Sequence, residues 1–253
     1  MAGREEATVS AGMVAIGDEV LSGRTKDRNI GHLASVLTVA GIDLVEVRIV
    51  GDRQKAIVEA VNALRERYDY VFTSGGIGPT HDDITADAIG AAFGRPVHED
   101  ERALDLLGRY YATRELEFTP ARRRMTRMPE GSELIANPIS VAPGFRVENV
   151  MVMAGVPSIF AAMVDNVLPT LRTGAVILSE TVPCHFGEGD IGDALAALQK
   201  AHPNVAIGSY PKSDGQRYST DLVARARDRA SLDEAVVAIR KMIGVREGAG
   251  SHS

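Results

Sequence analysis

Apolar residues in the first two thirds of the chain follow two different spacings. Segments rich in apolar, β-forming residues predict strands. These segments lie at 9–16, 42–50, 70–73 and 147–153. Between them, apolar residues recur every three or four positions, as at Ile57, Val61 and Leu64, which predicts amphipathic helices. Asn29 is the expected cap of the first helix. Strands that alternate with helices in this way predict a three-layer α/β fold around a mostly parallel sheet.

Residues 100–128 interrupt the alternation. Two helical patterns separated by a short segment at 117–120 predict an insertion, which we interpret as a flap over one end of the sheet. The apolar strand at 147–153 then resumes the pattern, and a helix that ends near Leu168 and Pro169 closes it. The first domain is therefore predicted to span residues 8–172.

The pattern changes after Gly174. Strand and helix signals follow in the order β-α-β-β-α, and Lys212-Ser213-Asp214-Gly215 supplies a hairpin turn between the last two strands. This order predicts a small α+β domain at 175–244 with its helices on one face of an antiparallel sheet. Residues 245–253 are predicted to form a disordered tail.

Composition narrows the function classes. The net charge of −6 argues against a general nucleic-acid binder, because phosphate backbones are held by an excess of lysine and arginine. The single Cys184 forms no intramolecular disulfide, and no apolar run approaches the length of a membrane-spanning helix. We therefore expect a cytoplasmic protein with no membrane or nucleic-acid partner.

A glycine-rich turn follows the third predicted strand. Gly75, Gly76 and Gly78 lack Cβ atoms where backbone N–H groups could approach a phosphate, and a helix predicted from about residue 83 adds its positive end. Asp82 and Asp83 would repel such an anion unless a divalent cation stood between them. We expect Asp83 to act at this site and Asp82 to cap the helix.

Other polar residues near the turn have two interpretations. Arg122, Arg123, Arg124 and Arg127 either contact ligand phosphates from a closing flap or form a solvated helix face. His81 is expected to be a loop residue rather than a metal ligand or a base, since no second histidine lies near it in sequence.

A long collinear series of motifs resembles the molybdopterin-binding (MoaB/Mog-like) domain family, and in particular its CinA-like branch (competence/damage-inducible protein A). The resemblance is densest in the run GGIGPTHDDIT at 75–85. Further matching stretches are Gly17-Asp18-Glu19, Val50-Gly51-Asp52, Pro129-Glu130-Gly131, Asn137-Pro138, Ala142-Pro143-Gly144-Phe145 and Gly155-Val156-Pro157. Ser140-Val141 and Ala154 depart from the family pattern, which often shows Gly-Thr and proline there.

The resemblance implies a fold of the molybdopterin-binding-domain type and a pterin-phosphate or nucleotide site. The implied ligand-binding residues are Gly75, Gly76, Gly78, Thr80, Thr85, Asp18 and Glu19, and we add Arg123 and Arg124 from the basic segment of the predicted flap. Asp83 and Asp52 are the implied catalytic and metal-holding residues. Because full-length CinA proteins carry a further deamidase domain that has no counterpart in this sequence, no deamidase activity is expected.

Three functions fit the resemblance. The first is a pyrophosphatase that hydrolyses ADP-ribose-like nucleotides with Mg²⁺, Mn²⁺ or Co²⁺. The second is a protein that binds molybdopterin without turnover, and the third is an adenylyltransferase that acts on that pterin. Homo-oligomerisation is also expected from the resemblance.

Overall fold

The computed structural model describes residues 8–213 and 218–250. None of the helices in these ranges has the length and apolar character needed to cross a membrane. The elements run, in chain order, β1 (Val9–Ile16), α1 (Asp18–Leu21), α2 (Asn29–Val39), β2 (Ile42–Val50), α3 (Gln54–Arg65), β3 (Tyr70–Ser74), α4 (Thr85–Phe93), β4 (Val97–Glu99), α5 (Glu101–Ala112), α6 (Pro120–Arg123), β5 (Arg127–Pro129), β6 (Glu133–Ile135), β7 (Gly144–Val147), β8 (Val150–Met153), α7 (Pro157–Val167), β9 (Leu178–Cys184), α8 (Glu188–Ala201), β10 (Ala206–Ser213), β11 (Tyr218–Ala226) and α9 (Arg229–Gly250).

The first unit contains a six-stranded sheet in the order β2-β1-β3-β8-β7-β6. The first four strands in this order pair in parallel, and β7 and β6 extend the sheet with antiparallel pairing. The mostly parallel sheet confirms the predicted fold class. The predicted strand at 147–153 is instead a hairpin, because the chain reverses at Glu148, whose φ of 53° lies in the left-handed region.

Apolar side chains fill both faces of this sheet. Along β1, Val9, Ala11 and Met13 pack on one face with helices α2 and α7, whereas Val14 and Ile16 pack on the other face with α3 and α4. This alternation follows from the two-residue period of a strand. The result is the predicted three-layer arrangement of helices, sheet and helices.

The insertion is anchored to the body of the first unit. Ala103 of α5 and Met128 of β5 are buried in the same apolar cluster as α3 and α4. Arg127 binds Asp87 of α4 through two hydrogen bonds, at 2.9 and 2.7 Å. Strand β5 also pairs with β4 in a small antiparallel sheet. Both predicted helices of the insertion are present as α5 and α6.

The second unit, which begins at Ala175, has the predicted β-α-β-β-α order. Its three strands form an antiparallel sheet in the order β10-β11-β9, and residues of α8 and α9 complete its own apolar core. Residues 214 and 215 of the predicted hairpin turn lie outside the described residues.

The prediction of a disordered tail at 245–253 is wrong for residues 245–250, which continue α9. Ile239 and Ile243 hold the preceding turns against the core, and a glycine at 244 inside a helix costs only about 1 kcal/mol. The helix can therefore extend past it. Residues 251–253 lie outside the described part of the chain.

Asp69, at the start of β3, ties together distant parts of the first unit. Its carboxylate accepts hydrogen bonds from the Ser10 backbone N–H at 2.8 Å and hydroxyl at 2.9 Å, and from Arg172 at 2.7 Å. The Ser10 backbone hydrogen bond, followed by the other contacts, holds the pKa of Asp69 below its usual value. Tyr70 accepts a further hydrogen bond from the Arg172 backbone N–H. The end of the first unit is thus fastened to β3.

We expect Asp69→Asn to lower the free energy of unfolding by about 1–2 kcal/mol at neutral pH, because charge-assisted hydrogen bonds are lost. A depressed pKa in the folded chain stabilises the protein above the unfolded aspartate pKa of about 3.9, and this stabilisation disappears as the pH falls through the folded pKa. Urea unfolding from pH 7 down to acid should therefore show a shallower loss of stability in the variant than in the wild type. Asp105→Asn, which breaks only an exposed ion pair with Arg109, is the control. Parallel pH profiles for Asp69→Asn and wild type would contradict this role.

Candidate functional site

A cavity of about 590 Å³ lies at the carboxyl ends of β1, β3 and β8 in the first unit. Ligand sites of open parallel sheets lie at this edge, in the loops that follow the strands. The volume falls within the range of small-molecule sites. The cavity is lined by six of the predicted site residues, which are Gly75, Gly76, Gly78, Glu19, Asp52 and Asp83. The others, which do not line it, are Asp18, Thr80, Thr85, Arg123 and Arg124.

The glycine turn is shaped by close packing within the protein. Gly75 has a φ of 108°, and a Cβ there would lie 2.2 Å from the carbonyl oxygen of Ile16. Gly76 has a φ of 69°, and its Cβ would lie 2.1 Å from the Thr85 hydroxyl oxygen. These positions therefore require glycine before any ligand is considered.

Thr85, the first residue of α4, contacts the glycine turn through its side chain and its backbone. Its side chain is fully buried, and its hydroxyl donates to the Gly75 carbonyl at 3.0 Å. Its backbone N–H donates to the Gly76 carbonyl at 2.9 Å. Thr85 thus holds the turn in place. The helix begins at Thr85, two residues later than predicted.

Asp83 is half-buried and faces back along the loop. Its Oδ2 accepts hydrogen bonds from the backbone N–H and the hydroxyl of Thr80, at 2.8 and 2.5 Å. Arg124 donates to the backbone carbonyls of Thr80 and Asp83, at 3.2 and 3.3 Å. One carboxylate and one guanidinium thereby fix the conformation of residues 80–83.

The prediction that Asp82 caps the helix is wrong. Residue Ile84 occupies the N-cap position of α4, and no side chain hydrogen bonds to that end of the helix. Asp82 instead lies in the loop with a side chain 65% exposed, near the almost fully exposed His81. Asp82 also lines the cavity, although it was not assigned to the site. His81 is a loop residue, as expected.

Two further carboxylates lie on the β1 and β2 side of the cavity. Asp52 accepts a hydrogen bond from the backbone N–H of Asp18, at 2.9 Å, through its Oδ2 atom. This bond joins the loop after β2 to the start of α1. Glu19 lines the cavity together with Asp52, whereas Asp18 packs against Gly51, where a Cβ would lie 2.2 Å from its carboxylate.

The arginines of the insertion all have partners within the protein. Arg123 forms an ion pair with Glu99, and Arg124 binds the loop backbone as described. Arg122 donates to the Glu117 carbonyl and lies over the ring of Tyr111. Arg124 thus stabilises the loop at 80–83, which contributes to the cavity wall. Phosphate contacts of Arg123 and Arg124 stay a prediction.

The loop at 137–142 forms another wall of the cavity, and Asn137 organises it. The buried Asn137 amide donates to the Ser140 hydroxyl at 2.6 Å and to the Ala142 carbonyl at 2.8 Å. Its Oδ1 accepts from the backbone N–H groups of Ile139 and Ser140. Within this loop Val141 has a φ of 66°, a strained conformation for a β-branched residue. One of the noted departures from the family pattern therefore lies at a strained position.

Asn29 has a different role from the predicted one. It is the first residue of α2 rather than its cap, and Asp27 accepts a hydrogen bond from the backbone N–H of Ile30, the second residue of the helix. The buried Asn29 amide instead donates to the Ser74 hydroxyl at 2.6 Å and to the Gly155 carbonyl at 2.8 Å. The local sequence carries a capping signal only, so these contacts were not predictable from it.

No cluster of three or more histidine, cysteine, aspartate or glutamate side chains suited to a metal ion occurs within residues 8–213 and 218–250. Asp52 and Asp83 line the cavity as a pair of carboxylates, and each uses only its Oδ2 atom in the hydrogen bonds above. The Oδ1 atom of each has no hydrogen-bonding partner in the described chain.

The sequence of each unit matches a known family model. Residues 12–173 match the family model described as "Probable molybdopterin binding domain". The chain belongs to this family. Residues 176–247 match a second model, described as "FAD synthase, middle domain". The family boundary thus falls beside the division of the structure between Gly174 and Ala175.

Relatives of this family member include archaeal and bacterial proteins. A protein from Aeropyrum pernix is 34% identical over 94% of this chain and 92% of its own length. A CinA-like protein from Myxococcus xanthus is 32% identical over 92% of this chain but only 59% of its own length. The crystal structure of the protein CinA from Thermoplasma acidophilum is similar over 65% of this chain and 99% of its own length, with 30% identity and a TM-score of 0.60.

We expect Gly75→Ala to lower the free energy of unfolding by about 2–4 kcal/mol, because a Cβ adds a backbone clash to a left-handed conformation. Gly94→Ala is the control. Gly94 also has a positive φ, 62°, but no atom lies within 4 Å of its added Cβ, so it measures the conformational penalty alone, about 1–2 kcal/mol. Equal destabilisation of the two variants in urea titrations would show that a Cβ at residue 75 does not clash with the Ile16 carbonyl oxygen.

Val141→Asn should raise the free energy of unfolding by about 1 kcal/mol, since asparagine tolerates the left-handed region better than valine does. Thermal unfolding followed by circular dichroism measures the shift. Ile139→Asn changes an exposed residue of the same loop that has no positive φ, and it should leave stability nearly unchanged. A destabilised Val141→Asn variant would mean that side-chain contacts of Val141 outweigh its backbone strain.

Proposed function

We propose that this chain binds a phosphorylated nucleotide-like or pterin ligand in the cavity and acts as a metal-dependent pyrophosphatase on nucleotides of the ADP-ribose type. The supporting observation is the joint placement of the glycine turn and the carboxylates Asp52 and Asp83 on one cavity at the carboxyl edge of the sheet. Backbone donors suit phosphates, and carboxylates suit a cation that bridges to them. A turn with a purely structural role would not need carboxylates beside its backbone N–H groups.

The backbone of the loops after β3 and β8 supplies the groups that would bind phosphate. Gly76 and Gly78 line the cavity without side chains, and Val156 and Pro157 at the start of α7 line it as well. No side chain caps the N-terminus of this eleven-residue helix. Its first N–H groups and its positive end would therefore face a bound anion.

Asp83 and Asp52 would hold the metal ion through their Oδ1 atoms. Mg²⁺ commonly binds one or two carboxylates and completes its shell with waters and substrate phosphates, which agrees with two carboxylates rather than a closed cluster. Bound Mg²⁺, Mn²⁺ or Co²⁺ would neutralise phosphate charge and lower the pKa of a water molecule. The Thr80 hydrogen bonds would keep Asp83 oriented, and Asp18 would do the same for Asp52.

The second candidate function is molybdopterin binding, with or without adenylation of the pterin. The match to the molybdopterin-binding family favours it. The same cavity would serve, because a pterin phosphate offers the same anion to the glycine turn. Product analysis of purified protein with ADP-ribose, FAD, NAD, or molybdopterin and ATP separates the functions. AMP with a sugar phosphate indicates hydrolysis, pyrophosphate from ATP indicates adenylation, and retained pterin indicates binding. Homo-oligomerisation stays a prediction.

Asp83→Asn should reduce metal-dependent hydrolysis of ADP-ribose by about 10²–10³-fold, because the change removes the charge that would hold the cation. Asparagine keeps a carbonyl oxygen that can still accept the Thr80 hydrogen bonds, so residues 80–83 should keep their conformation. Steady-state rates at saturating Mn²⁺ or Co²⁺, with thermal melts of each protein, test this expectation.

Asp82→Asn is the matched control, since Asp82 lies next in sequence and lines the same cavity, and it is exposed whereas Asp83 is half-buried. We expect it to retain most of the wild-type rate. Equal losses in both variants would indicate a shared cation site, and full activity of Asp83→Asn would refute the proposed role of Asp83.

A further inference from the structure

Asn29 connects the loops that follow three adjacent parallel strands. It lies in the segment after β1, and its amide donates to Ser74 at the end of β3 and to Gly155 after β8. These strands are neighbours in the sheet order β1-β3-β8. The cavity is built at the carboxyl ends of the same three strands. One side chain therefore links the carboxyl ends of these three strands.

The orientation of the Asn29 amide is determined by its partners. A carbonyl oxygen such as that of Gly155 can only accept a hydrogen bond, so the nitrogen of the amide must face it. Asn29 is 3% exposed, and both hydrogen bonds are short, at 2.6 and 2.8 Å. Both hydrogen bonds that the amide nitrogen can donate are thus formed.

The other side of the same amide is unsatisfied. The Asn29 Oδ1 atom is buried and has no hydrogen-bonding partner within residues 8–213 and 218–250. A buried acceptor without a partner costs about 1–3 kcal/mol of folding free energy. Local costs of this kind are expected at functional sites, where a residue serves geometry rather than stability. The orphaned oxygen is therefore a second observation that separates Asn29 from an ordinary buried asparagine.

The contact at Gly155 transmits this geometry to the glycine turn. A Cβ on Gly155 would lie 3.2 Å from the Cα of Gly75, so the two loops touch through their backbones. Gly155 is followed directly by Val156 and Pro157 at the start of α7. The Asn29 hydrogen bonds consequently set how far the start of α7 lies from the turn at 75–78.

We propose that Asn29 is a positioning residue that fixes the spacing between the glycine turn and the start of α7, and thereby determines affinity for the diphosphate group of the ligand. This inference rests on the proposed phosphate-binding role of the cavity. It does not depend on whether the ligand is a nucleotide or a pterin, or on whether the ligand is hydrolysed.

The test measures dissociation constants for inorganic pyrophosphate and for ADP, with Mg²⁺, by titration calorimetry. Asn29→Ala should weaken both by about tenfold, as expected for lost backbone alignment equivalent to one hydrogen bond. In Asn29→Asp the ionised carboxylate keeps the size but cannot donate to Gly155. Burial and the facing Gly155 carbonyl should raise the pKa of this carboxyl group above the usual aspartate value of about 3.9. Its affinity relative to wild type should therefore be low at pH 8 and recover toward pH 5, as the carboxyl group takes up a proton and donates again. A role in packing alone would not produce this pH-dependent recovery.

Asn149 provides a matched control. Its amide also donates two hydrogen bonds, here both to backbone carbonyls, those of Arg65 and Tyr68, at 3.0 Å each. Asn149 lies in the turn before β8, at the opposite end of that strand from Gly155. Asn149→Ala should lower the melting temperature but leave both dissociation constants unchanged. If Asn29→Ala does not fold, Asn29→Asp compared at the two pH values still decides the question.

The outcomes separate the inference from the proposed function. Wild-type affinity in folded Asn29 variants, or an equal loss in Asn149→Ala, would overturn the positioning role even if ADP-ribose is hydrolysed. Asn29-dependent binding of pyrophosphate without any hydrolysis of ADP-ribose would support the positioning role and refute the pyrophosphatase. A wild-type protein that binds neither probe would overturn the inference.

Discussion

The close approach of three backbone segments at the carboxyl edge of the sheet is the constraint on which the site depends. Gly75 fits against the carbonyl of Ile16 and touches Gly155, so the ends of β1, β3 and β8 meet without side chains between them. Any side chain at Gly75 would force these ends apart. The cavity wall, the start of α7 and the carboxylate-bearing loops all take their positions from this contact.

Much of the fold can be predicted from the local spacing of apolar residues in the sequence. The alternation of apolar runs with helical spacing predicts the parallel sheet because each strand is buried on both faces and each helix on one. The hairpin at Glu148 is marked only by the polar pair Glu148-Asn149, which contains no glycine or proline, so the strand prediction ran across it. The prediction of a disordered tail rests on the usual disorder of chain ends, whereas α9 continues to Gly250.

The candidate site was predicted less completely than the fold. The glycine turn, Asp52 and Asp83 could be found because they are contiguous motifs at strand ends. The partners of Arg123 and Arg124 could not, since Glu99 and the backbone of residues 80–83 are brought to them only by the tertiary fold. Asn29 was missed for a related reason: the residues that it joins lie 45 and 126 positions away along the chain.

The paired hydrogen bonds between Arg127 and Asp87 have a consequence for dynamics. They join the insertion to α4, and α4 begins at the residue that supports the glycine turn. Opening the insertion would therefore strain the helix that holds the turn, so the two should exchange their amide protons as one cooperative unit. Ligand entry in such an architecture favours a route past the exposed loop at 79–82 over hinge motion of the insertion.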